Sequence, residues 1–131
     1  MSHPFVPNPD LGRDALAAGM RVELAAMLEA ADARADQRAG PKGEGFDADW
    51  YAQRGRHHDL AVEDGLKDVR MRWPNQELTW RRSGVHEFIF KALGRTSSST
   101  GSVAGAVRNW IAAEEKAERA AASHKARADA A

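Results

Sequence analysis

The residue types able to support chemistry in this chain are few, and their spacing argues against most of it. His57-His58-Asp59 is the one histidine pair. Imidazoles beside a carboxylate can hold a metal ion or relay a proton, but adjacent side chains on a strand point to opposite faces. Neither H-x-x-x-H nor H-E-x-x-H occurs, and His86-Glu87 has no second histidine at helical reach. A histidine-dependent hydrolase or metal protein is therefore the third of three readings, and no metal ligand or cofactor is expected. Residues 94–101 begin and end on glycine and are rich in Ser and Thr, yet a phosphate-binding loop needs Lys after its second glycine, and here Ser102 follows Gly101. None of the serines sits in a G-x-S-x-G elbow or has a nominated histidine base. No catalytic residue is assigned, and the chain is expected not to be an enzyme.

The remaining grouping is basic and aromatic: Arg70, Arg72, Trp73, Trp80, Arg81 and Arg82. Formal charge over the whole chain is zero, but residues 69–108 hold 7 basic against 2 acidic side chains, while residues 46–68 hold 3 against 6. Such opposed segments suit contacts between copies of one chain, and they also suit a patch that meets phosphate. If residues 68–73 and 77–81 are paired strands, Arg70, Arg72 and Arg81 share one face and the tryptophans the other. That separation disfavours base stacking, which needs aromatics and cations on one surface. Arg70, Arg72, Arg81 and Arg82 are thus a candidate basic face for a neighbouring subunit or for nucleic-acid backbone.

The elements that must position these residues follow from periodicity. Pro4, Pro7 and Pro9 predict an extended arm over residues 1–10 that carries exposed Phe5 and Val6. Asp10 is a candidate cap for an amphipathic helix of roughly 25 residues with Leu16, Met20, Leu24, Met27, Leu28 and Ala31 on one face. Its far end, residues 30–39, alternates alanine with charge. Gly and Pro over residues 40–45 predict a mobile loop, and Phe46, Trp50 and Tyr51 supply aromatic anchors near a short helical turn over residues 47–54. Alternation predicts strands at 68–73 and 77–81, joined by Pro74-Asn75-Gln76, and a third at 86–93 around Phe88-Ile89-Phe90. Residues 94–101 read as a polar loop, with Ser102 capping a last helix whose stripe is Val103, Val107, Trp110 and Ile111. From residue 114 to 131 only alanine and charge remain, the composition of a solvated helix or frayed tail. The predicted fold is α+β: a long N-terminal helix and a C-terminal helix packed on a small antiparallel sheet, with one domain over residues 11–113.

With 131 residues and no cysteine, the chain rests on packing or association, without a disulfide frame. No run approaches the length of a membrane span and no secretory leader is visible, so no membrane partner is expected.

The order of these elements resembles the neck proteins of long-tailed bacteriophages, the tail-completion and tail-terminator-like family. The carrying points are Phe5-Val6-Pro7-Asn8-Pro9 with Leu11, Met20-Arg21 in the first helix, Gly45-Phe46 after it, and Phe88-Ile89-Phe90 running into Gly94-Arg95-Thr96 and a closing helix. Lys91-Ala92-Leu93 and a serine run stand where relatives mostly have Glu-Phe-Gly and a proline-rich stretch. The resemblance covers most of residues 5–112. It implies a virion structural protein, formed in the host cytoplasm, that closes a homo-oligomeric ring, commonly a hexamer, between the head connector and the tail tube. Its partners would be further copies of itself and neighbouring neck and tail-tube proteins, with non-specific DNA contact in the lumen. Phe5, Val6, Arg95, Thr96 and Ser98 are the candidate subunit contacts. The alternative is a small nucleic-acid-binding module using the basic β-face.

Overall fold

The computed structural model describes residues 12–130; Phe5, Val6 and the candidate cap Asp10 lie outside them. The fold is α+β. Helices α1 (Arg13–Ala39) and α2 (Ala48–Arg72) form an antiparallel hairpin, strands β1 (Leu78–Arg82), β2 (Phe88–Ala92) and β3 (Arg95–Ser99) form an antiparallel sheet in that order, and α3 (Val103–Ala130) packs on it. No helix among the described residues is long and apolar enough to cross a membrane.

Helix α1 buries the predicted stripe of Leu16, Met20, Leu24, Met27, Leu28 and Ala31, and adds Ala35. Extended Gly12, without a side-chain cap, precedes it, and Gly40 ends it at φ 72°, a left-handed conformation that glycine adopts without steric cost. Pro41 then forbids continuation. The alanines of its last turns are small enough for α2 to approach closely.

One expectation from alternation is overturned. Residues 68–73 do not form a strand, and the short helical turn expected at 47–54 runs on as a 25-residue helix that includes residues 68–72. Asp47 caps it by accepting the Trp50 amide at 3.1 Å, satisfying one of the amides a helix start leaves without an intrahelical partner. Val62, Leu66, Val69 and Trp73 recur at steps of four, three and four and are all buried, whereas Met71, which alternation places beside Val69 and Trp73, is 78% exposed. A short stretch of alternation is compatible with either period. The helical one wins because it aligns Val69 and Trp73 with apolar residues two turns earlier. Pro74 marks the exit.

The polar loop expected at 94–101 is likewise replaced, over Arg95–Ser99, by strand β3. Leu93 and Gly94 have φ of 50° and 80°, the pair of left-handed residues used by a two-residue hairpin turn whose twist matches the strands. Ala92 therefore pairs with Arg95, and the register runs on through Phe90↔Ser97 to Phe88↔Ser99. On the other side β1 pairs with β2 through Trp80↔Phe90 and Leu78↔Ala92. Leu78, Phe90 and Ala92 point inward and are buried. Small Ser97 and Ser99 let α3 settle on the sheet: Ser97 Oγ donates to the Ala106 carbonyl at 2.6 Å, and a Cβ on Gly105 would lie 2.4 Å from Ser99 Oγ.

Ser102 caps α3, accepting the Gly105 amide at 3.0 Å. Val107 and Trp110 are fully buried. The Trp110 indole N–H donates to the Ala92 carbonyl at 3.1 Å, and its ring meets Phe90 edge-on at 5.9 Å. One core joins both layers through Met20, Leu24, Leu66, Trp73, Phe90 and Trp110. From residue 115 to 130 the helix continues with every residue exposed.

Helices α1 and α2 approach closely at Gly65, where an added Cβ would lie 2.3 Å from Met27 Cγ. Overpacking of this kind costs about 1–3 kcal/mol, against about 1 kcal/mol gained from helix propensity. Gly65→Ala is expected to lower the urea-unfolding free energy by a net of roughly 1 kcal/mol. In a Met27→Ala background the same substitution becomes neutral or stabilising, because the two sites share one volume.

Candidate interaction surfaces

Three sites outside the apolar core concentrate polar or aromatic groups. The first is a buried carboxylate. Glu114 continues the α3 stripe one turn after Trp110 and is only 5% exposed. Arg13, at the start of α1, donates to both of its oxygens, and Arg95, opening β3, donates through Nε at 2.9 Å. Arg13 also donates to the Leu93 carbonyl at 2.9 Å, and the Glu77 carboxylate accepts the Gly94 amide at 3.0 Å. Hydrogen bonds from Arg13 outweigh the burial that alone would raise the Glu114 pKa, with Arg95 adding to them, so it lies below the ordinary glutamate range. Arg13 is correspondingly raised. This triad ties α1, α3 and the β2–β3 turn together, and it gives Arg95 an intramolecular partner.

The second is the outer face of the sheet. Among the described residues the helices pack on the sheet face that carries Phe90, α3 most extensively. On the opposite face Thr79, Arg81, Thr96 and Ser98 are exposed, and Ile89 and Lys91 are half-buried. Thr96 and Ser98, read from sequence as loop contacts, thus stand on an open β surface beside Arg81. The basic face inferred from paired strands is not assembled in that way. Arg70 and Arg72 belong to α2: Arg70 stacks over Trp80 at 4.6 Å, and Arg72 donates to Glu23 at 2.6 Å. Glu23 also accepts the Trp73 indole N–H. Arg82 braces its own turn through the carbonyls of Gly84 and Val85 and lies over Phe88 at 5.5 Å. Arg81 alone of the four occupies the open sheet face. A groove of about 330 Å³ runs along the β1 edge, lined by Asp59, Leu60 and Glu63 of α2 and by Trp80, Arg82 and Val103.

The third is the tip of the α1–α2 hairpin. Phe46 stacks on Tyr51 at 5.3 Å and 20°, Trp50 meets Tyr51 edge-on at 5.0 Å, and Lys42 lies 5.1 Å over the Tyr51 ring. The Trp50 indole donates to the Gly40 carbonyl at 3.1 Å, which fixes the cluster at the end of α1.

His58 Nε2 lies 3.1 Å from Asp32 Oδ1 across the helical hairpin, and among the described residues no three His, Asp or Glu side chains are grouped to hold a metal. Sequence reasoning missed Glu114 because the stripe of large apolar residues ends before it. The available signal was a glutamate standing where the next buried position falls, four residues after Trp110. Comparison with protein-family models, curated proteins and solved structures finds no match to this chain.

Glu114→Gln leaves the shape and removes the charge. Because both arginines are more than a third exposed, solvent screening limits the loss to about 1–2 kcal/mol near neutral pH. The folded-state pKa is depressed, so this contribution is complete above the unfolded value of roughly 4.3 and disappears as pH falls through the folded one. Denaturant titrations from pH 7 to pH 3 are expected to show wild type and Glu114→Gln converging only on the acid side.

Proposed function

We propose that this chain is a structural, non-enzymatic subunit of a homo-oligomeric ring, a hexamer by family resemblance, at the head-to-tail neck of a long-tailed phage. The observation that carries the reading is the open outer face of the sheet, where Thr79, Arg81, Thr96 and Ser98 line a surface that no element among the described residues covers. The residues quoted above for the resemblance, among them Gly45-Phe46 and Gly94-Arg95-Thr96, supply the phage context. Charge supports a head-to-tail contact. Exposed Asp59, Glu63 and Asp64 make residues 59–64 of α2 acidic, within a helix whose five acidic side chains are matched by five basic ones, while the open sheet face presents Arg81. A contact that pairs two different surfaces closes a ring when the rotation between subunits permits it.

DNA contact is a lesser part of this reading. With Arg72 bound to Glu23 and Arg70 over Trp80, phosphate would meet mainly Arg81, a single charge that positions backbone without reading bases.

Light scattering after size exclusion, across a concentration series, tests the proposal. Wild type is expected to give a ring-sized species, or a monomer that assembles as concentration rises. Arg81→Glu and raised salt each shift that equilibrium toward monomer. A strict monomer at high concentration and low salt, with binding to generic duplex DNA that weakens steeply with salt, would instead favour the nucleic-acid module.

A further inference from the structure

The geometry points to the aromatic tip of the α1–α2 hairpin as the docking site for the Phe5-Val6-Pro7 segment of a second copy of this chain. The inference deepens the self-association reading above and rests on it. Phe46 is 82% exposed and Tyr51 44%, although both belong to an ordered cluster. Phe46 is stacked on Tyr51, Trp50 stands perpendicular to it, and Lys42 donates to the Tyr51 hydroxyl at 2.9 Å. Stacked and perpendicular rings side by side present a continuous aromatic surface. Aromatic surfaces with a polar rim are what proline-rich extended segments recognise, because such segments hold their shape before binding and lose little entropy.

The chain itself contains a segment of that chemistry. His3-Pro4-Phe5-Val6-Pro7-Asn8-Pro9 holds three of its five prolines and two large apolar residues. Reach decides which copy supplies it. Gly12 and Gly40 cap opposite ends of α1, a separation of about 42 Å at 1.5 Å per residue. Phe5 is seven residues from Gly12 and extends at most about 25 Å from it. A chain cannot bring its own Phe5 to its own tip. A neighbour can, and each copy then offers one arm and one tip, the two-surface contact from which rings close.

The absence of cysteine allows a direct test in the full-length chain. Asn8→Cys protein is mixed with Glu44→Cys protein under mild oxidation, with Val85→Cys and Ala122→Cys as exposed comparison partners. These substitutions leave Phe5, Phe46 and Tyr51 in place. The expected result is an Asn8→Cys to Glu44→Cys cross-linked dimer that forms at least about tenfold faster than either comparison pair. In cysteine-free protein Phe46→Ala is expected to weaken self-association about tenfold by light scattering. Equal rates with all three partners, or no cross-link while wild type still forms higher-mass species, overturn the docking site and leave the assembly reading standing. A strict monomer with no cross-link overturns both.

Discussion

One buried ionic joint sets how the layers of the fold meet around their shared apolar core. The helical hairpin and the α3–sheet layer are built from different stretches of chain, and at Glu114 three of their pieces meet: the first turn of α1, the fourth turn of α3 and the start of β3. Trp110, one helical turn earlier, binds the Ala92 carbonyl on the same side. The polar joint thus sits directly on the apolar one. A carboxylate removed from water requires charged or polar partners, and Arg13 and Arg95 supply them from two segments distant in sequence. Specificity of register is the gain, since a slip of β3 by one residue would turn Arg95 to the other sheet face.

From that joint follows the division between covered and uncovered surface. α3 lies over one side of the sheet because Ser97, Ser99 and Gly105 admit it, and α1 with α2 completes the core around Trp73 and Leu66. Among the described residues no element remains for the other side. The outer sheet face, the hairpin tip and the distal half of α3 are therefore exposed as consequences of topology, and each carries a different chemistry: β-branched and basic, aromatic, and alanine with mixed charge.

Much of this was legible in the sequence. The α1 stripe, the glycine break, the Phe88-Ile89-Phe90 strand, the Ser102 cap and the α+β class all follow from periodicity and cap chemistry. Helix α2 was not, because its first half buries little and its last turn alternates as a strand would. Gly65 also occupies an inward position where a large apolar residue would have marked the helical period. Strand β3 was hidden by composition. Ser and Thr read as loop, and the two-residue turn at Leu93-Gly94 lacks the asparagine or aspartate that usually announces it. The regrouping of the arginines followed from the same error, since assigning residues 68–73 to a helix sends Arg72 to Glu23 and Arg70 to Trp80.

The continuity of α3 has a mechanical meaning. Its 28 residues make a rod of about 42 Å, anchored over Val103 to Glu118, where Arg21 of α1 binds the Glu118 carboxylate, and unsupported beyond. No glycine or proline interrupts the unsupported part, so its outward side chains inherit their compass bearing from Trp110. Each residue advances that bearing by about 100°. Lengthening the rod by a single alanine just after the anchored turns would therefore preserve its composition and nearly its length, yet rotate everything distal by more than a quarter turn. The outer half of α3 is in this sense a pointer whose phase is set within the core.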